Sequence, residues 1–105
     1  MDLEALELLR SNRFFESWNG FVPAEKISAS EEALRSFLNR LIQSGPTVDE
    51  ALARAYVDDA VRLFNDLDDG WIVTTEREDI CDRISDILAA AGFEPDEDWF
   101  CEREW

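Results

Sequence analysis

The sequence contains no histidine, which removes the commonest general base and the commonest metal ligand in one stroke. Lys26 is its only lysine, and neither of its two cysteines, Cys81 and Cys101, has an imidazole to activate it. Its 4 glycines form no phosphate-cradling loop and no nucleophile elbow. Carboxylate pairs such as Asp58-Asp59 exist, but 25 acids in 105 residues produce neighbours by number alone. Glycosidase-type chemistry would also need a deep cleft, which domains this small rarely provide. The expectation is a protein without enzymatic activity and without a cofactor. Met1-Asp2-Leu3-Glu4 has neither a basic start nor an apolar run, so export by a signal peptide is not indicated. No apolar stretch approaches the length that spans a bilayer. Two cysteines in such a chain are expected to be reduced, partly buried thiols in a cytoplasmic protein rather than a disulfide.

What the chain has in excess is negative charge. Its 25 acids stand against 10 bases, a formal net charge of −15. Residues 1–48 carry 7 acids and 5 bases, whereas residues 49–105 carry 18 acids and 5 bases. The field is therefore built almost wholly by the second half. Such a surface repels nucleic acid and anionic membranes and attracts basic proteins. Hydrophobic residues nevertheless make up 46% of the chain and aromatics 11%, well above a disordered composition. One domain spanning residues 1–105, with a single core, is expected.

Helical periodicity dominates. Leu3, Leu6, Leu9, Phe14 and Trp18 predict a first helix over roughly Asp2 to Trp18, ended by Asn19-Gly20. Ser28 with Glu31 three residues on reads as a capping box for a second helix. Its stripe is Leu34, Phe37, Leu38, Leu41 and Ile42, closed by Ser44-Gly45-Pro46. Thr47 with Glu50 predicts the start of a third helix, with Leu52, Tyr56, Ala60, Leu63, Phe64 and Leu67 inward. Thr75 with Glu78 predicts a fourth, with Ile80, Ile84, Ile87, Leu88 and Ala91 inward and a Schellman ending at Gly92-Phe93. The segment from Pro95 to Trp105 carries Trp99, Phe100 and Trp105 and is expected to dock as a short strand or turn. Phe14…Asn19-Gly20-Phe21-Val22 echoes Phe64…Asp69-Gly70-Trp71-Ile72 fifty residues on, which suggests two helix–loop–helix halves. The fold expected is mainly α, a compact four-helix bundle. It leaves room for a short two-stranded ribbon between the halves and for a docked C-terminal segment.

One loop carries a local likeness. In Asn65-Asp66-Leu67-Asp68-Asp69-Gly70-Trp71-Ile72-Val73-Thr74-Thr75-Glu76, Asn65 and Asp69 stand at the first and fifth positions of a twelve-residue loop. Gly70 supplies a sharp turn and Glu76 closes the loop. The segment resembles a degenerate EF-hand calcium loop. The resemblance implies Asn65, Asp69, the Trp71 carbonyl and a bidentate Glu76 as ligands. Leu67 offers no oxygen where the family has one, so no metal is assigned.

The acidic residues form the stronger pattern. Glu78, Asp79, Asp82 and Asp86 recur at three- and four-residue spacing opposite the isoleucine stripe, where like charges repel. Asp66, Asp68 and Asp69 precede that helix, and Asp96, Glu97 and Asp98 follow it. If the helix lies on the surface, all three groups merge into one patch, with Trp71 and Trp99 as aromatic anchors. The reading is a non-enzymatic, acidic protein-binding module that blocks a basic nuclease or other nucleic-acid-binding partner, of inhibitor or immunity type. A nucleic-acid mimic acting on a DNA-binding regulator differs only in its target. The chain is expected to be a monomer or weak dimer that touches no nucleic acid or membrane directly. A degenerate EF-hand-like regulatory module, with or without calcium response, is the alternative, and a helical adaptor is a further one. A plainly solvated face is the competing account of the same charges.

Overall fold

The computed structural model describes residues 3–10, 14–45, 48–100 and 105. It is a helical bundle whose principal elements are α1 (Leu3–Leu9), α2 (Ala24–Ser44), α3 (Glu50–Leu67) and α4 (Thr74–Ala90). Two 3-10 turns, Glu16–Trp18 and Glu97–Phe100, complete it. α2 lies along α3, α1 contacts both α2 and α4, and the C-terminal turn docks on α3. The radius of gyration of 13.1 Å is that of a packed domain of this length.

The helix starts show how local signals compete. The Ser28–Glu31 box does not open α2, which begins four residues earlier after Pro23. The Pro23 carbonyl accepts from the Lys26 and Ile27 N–H groups at 2.9 and 3.1 Å. Glu31 is instead buried, and its Oε1 accepts from the Phe15 N–H at 3.4 Å, so it satisfies an orphan donor in another element. Asp49 caps α3, its Oδ1 accepting from the Leu52 N–H at 2.8 Å. The Thr47 cap, the Pro46 stop, the Asp2 start and Cys101 lie outside the described residues. α4 begins at Thr74, which makes Glu76 its third residue. Glu76 Oε1 accepts from the Val73 N–H at 3.4 Å, so the acid that reaches back is Glu76 and not Glu78.

The first predicted helix is interrupted after α1. Phe14, Phe15 and Trp18 are all buried, and a 3-10 turn over Glu16–Trp18, not a continued α-helix, carries Trp18 inward. Phe15 stacks on Trp18 with centroids 4.0 Å apart and meets Phe64 edge-on at 6.4 Å. The isoleucine stripe of α4 packs as its periodicity predicts, with Ile80, Ile84, Ile87 and Leu88 fully buried. Its end is a Schellman motif. The Phe93 N–H donates to the Leu88 carbonyl at 2.9 Å and the Gly92 N–H to Ala89 at 3.0 Å, with Gly92 at φ 93°.

α3 buries Ala60 and Phe64 of the expected face but is otherwise rotated from it. Ala53, Val57, Ala60, Val61 and Phe64 are buried, whereas Leu52 is 38% and Leu63 45% exposed. The helix carries two adjacent apolar stripes and the core takes the one with smaller side chains. No ribbon joins the two echoing loops among the described residues. Their donors are consumed locally: the Phe21 and Val22 N–H groups reach the Trp18 carbonyl, and the Ile72 N–H reaches Asp68 Oδ1. The loops meet through side chains instead, Trp18 and Trp71 standing edge to face at 5.7 Å.

Candidate functional site

Helical spacing places Glu78, Cys81, Asp82 and Ser85 on one side of α4, away from its isoleucine stripe. The Schellman turn then reverses the chain. Trp99, 3% exposed, anchors the returning segment. The Arg54 guanidinium of α3 lies over its ring, 4.5 Å from the centroid, and Phe93 packs against it at 6.0 Å. With Trp99 held there, Pro95 to Asp98 face the polar side of α4. The space between is a cleft of about 710 Å³, closed on one side by Phe100 and bordered by Arg77.

This cleft gathers Glu78 and Asp82 from α4 with Asp96, Glu97 and Asp98 from the returning segment. Of the three acidic groups expected to merge, Glu78 and Asp82 of the α4 group meet the Asp96–Asp98 group here. The arrangement is partly internally ordered: Asp96 Oδ1 accepts from the Asp98 N–H at 3.0 Å. Arg77, the one base on the rim among the described residues, is turned toward its own helix start, where its Nη2 donates to Thr74 Oγ1 at 3.4 Å. Five carboxylates converging on one concavity focus negative potential into it. Chemically the cleft suits guanidinium and ammonium groups, which carboxylates bind by charge-assisted hydrogen bonds. Phe100 adds an apolar wall for the methylenes of such side chains.

The remaining acids expected at the patch have other placements. Asp79 is half-buried, and its Oδ2 accepts from the Trp18 indole Nε1 at 2.8 Å. Asp86 pairs with Arg83 at 3.4 Å on the same helix. Asp66 borders a groove between α2 and α3. Asp68 Oδ1 accepts from the Gly70 and Ile72 N–H groups at 3.0 and 3.3 Å, tying the turn after α3. Asp69 pairs with Lys26 at 3.4 Å. None of these five lines the cleft. The two tryptophans expected as surface anchors are structural. Trp99 is core, because its ring is the apolar peg that docks the C-terminal turn. Trp71 is half-buried, packed on Trp18, with its Nε1 donating to the Leu67 carbonyl at 2.7 Å.

The same bonds dispose of calcium-loop geometry over residues 65–76. Asn65 to Leu67 belong to the last turn of α3, Asp68 serves backbone donors, Asp69 serves Lys26, and Glu76 serves Val73. Among the described residues no three carboxylates or thiols converge as a metal site would require. Cys81, expected from the sequence to be a reduced, partly buried thiol, is half-buried and lines the acidic cleft. Ser85 and Phe100 were also legible there, Ser85 from its one-turn spacing to Cys81 and Phe100 as the neighbour of a buried tryptophan.

Among the described residues no helix is long and apolar enough to cross a membrane. The chain matches no protein-family model, no curated protein and no solved structure.

Proposed function

We propose that the protein is a non-enzymatic inhibitor of immunity type, which uses the cleft between α4 and the 95–100 segment to capture basic side chains of a nuclease or other nucleic-acid-binding protein. The observation that carries this reading is the convergence of Glu78, Asp82, Asp96, Glu97 and Asp98 on one concave surface. Carboxylates so placed can occupy positions that phosphates take in a basic groove, and long-range attraction accelerates encounter. The segregation of charge favours this over mere solvation, since residues 49–105 carry 18 of the 25 acids. The alternative calcium-responsive module draws no support from the 65–76 loop, where Asp68 is committed to the turn, Asp69 to Lys26 and Glu76 to the start of α4.

The test is capture from native lysate with the wild-type chain and with a triple reversal, Glu78→Lys, Asp82→Lys and Glu97→Lys. All three side chains are exposed, so the fold tolerates the changes. The expected result is a basic partner retained by the wild type, released by high salt, lost on triple reversal, and inhibited in its nucleic-acid binding or cleavage when the wild-type chain is added. Retention of the same partner by the triple variant, or undiminished partner activity in the complex, overturns the proposal.

A further inference from the structure

A second surface stands apart from the acidic cleft. On α3, Leu52, Tyr56, Leu63 and Leu67 fall within roughly 60° of helix circumference at 3.6 residues per turn. They form the stripe that the core does not take. Tyr56 and Leu67 are half-buried, and Leu52 and Leu63 are exposed. Arg40 of α2 covers the Tyr56 ring, 4.1 Å from its centroid, and Ser44 bonds the Tyr56 hydroxyl at 2.6 Å, but opposite Leu63 and Leu67 α2 presents the small side chains of Ala29, Ala33 and Ser36, and there the seam stays open. The result is an open apolar groove of about 310 Å³, floored by the two alanines and walled by Leu63 and Leu67. Glu32 of α2 and Asp66 of α3 stand at its edge. Neither carboxylate has an ion-pair partner among the described residues.

We propose that this groove binds a basic amphipathic helix of a partner protein, which inserts an apolar side chain between Leu63 and Ala33 and sets Lys or Arg residues one turn away against Glu32 and Asp66. Helix-in-groove recognition lays an apolar helix face into an apolar trough, and opposite charge at the rim steers and orients the partner; this groove has the trough and two rim carboxylates. Charge decides between occupants. A second copy of this chain brings its own net charge of −15 to a negatively bordered groove, whereas a basic helix gains at each edge. The proposal does not rest on the acidic cleft, which lies between α4 and the 95–100 segment.

The experiment uses the whole chain, labelled for amide NMR, titrated with a synthetic lysine–leucine amphipathic helix and, in parallel, with an all-lysine peptide of equal charge. The expected result is saturable binding of the amphipathic helix with shifts centred on Ala29, Ala33, Leu63 and Leu67. Leu63→Asn weakens it about tenfold, and Glu32→Gln with Asp66→Asn weakens it at low salt only. Leu63 is exposed enough that Leu63→Asn keeps the wild-type unfolding midpoint, which urea titration checks. Equal binding of the all-lysine peptide, shifts confined to Glu78, Asp82 and Glu97, or no binding at all overturns the proposal. Shifts at Leu63 that grow with protein concentration alone overturn it in favour of a second copy. The triple reversal in the acidic cleft leaves groove binding intact, so failure of either surface is read separately from the other.

Discussion

Replacing Asp79 with Ala separates a structural acid from a solvated one on the same helix. Asp79 Oδ2 accepts from the Trp18 indole N–H at 2.8 Å, and Trp18 is 3% exposed. Truncation leaves a buried donor without its partner, and the partner lost is charged. The cost of an abandoned buried donor together with a charge-assisted bond is about 2 kcal/mol. Asp82, one turn on from Glu78, is exposed and makes no hydrogen bond or ion pair among the described residues. Its replacement by Ala removes a like-charge repulsion and lies within about 0.5 kcal/mol of neutral. Urea unfolding followed by tryptophan fluorescence reads both, with the Asp79→Ala midpoint falling by about 1 M and the Asp82→Ala midpoint unmoved. Thermal melts show the same contrast, a loss of about 10 °C for Asp79→Ala. Asp79→Asn keeps an acceptor and falls between the two. Trp18→Phe combined with Asp79→Ala costs less than the sum of the single changes, because both remove one bond. Equal midpoints for Asp79→Ala and Asp82→Ala would refute the assignment of Asp79 to the fold.

Ser30 is fully buried on α2 and its hydroxyl has no hydrogen-bond partner among the described residues. Ser30→Ala therefore raises stability by about 1 kcal/mol, from removing an unsatisfied polar group and from better helix propensity, and a lowered urea midpoint would count against the orphan hydroxyl. Gly92 adopts φ 93° in the Schellman turn that aims the 95–100 segment back at α4. Gly92→Ala lowers stability by about 1 kcal/mol in the same assay, since a side chain at that φ is strained, and an unchanged midpoint would show that the turn is not held there.

The parts of this fold that could be read in advance are those where one physical signal stood alone. α4 has one apolar stripe, Ile80 to Ala91, and a Gly92-Phe93 ending with no rival, and both are as periodicity implies. α3 has two apolar stripes side by side, and periodicity cannot say which one the rest of the bundle covers. The bundle as a whole covers Ala53, Val57 and Val61 and leaves Leu52 and Leu63 partly outside. The Ser28–Glu31 and Thr75–Glu78 boxes fit the local rule but lose to a cap at Pro23, five residues before Ser28, and to Glu76, two residues before Glu78. The acidic site follows the same division. That Glu78 and Asp82 share a face is helix arithmetic, and that Asp96 to Asp98 return to meet them depends on Trp99 finding its seat beneath Arg54. The loss of Asp79 to Trp18 spans 61 residues, a distance over which no local pattern carries information.

Lys26 donates to the Leu67 carbonyl at 3.3 Å and pairs with Asp69 at 3.4 Å, and Trp71 shares that same carbonyl. As the only lysine in the sequence, it is also the only side-chain amine on offer to acylating, methylating or isopeptide-forming chemistry. That amine is folded into the closure of α3, so any reagent or enzyme seeking it must first unlatch the helix end. The chain thus couples its one conjugation handle to an internal joint, and a modified Lys26 would report that the joint had opened.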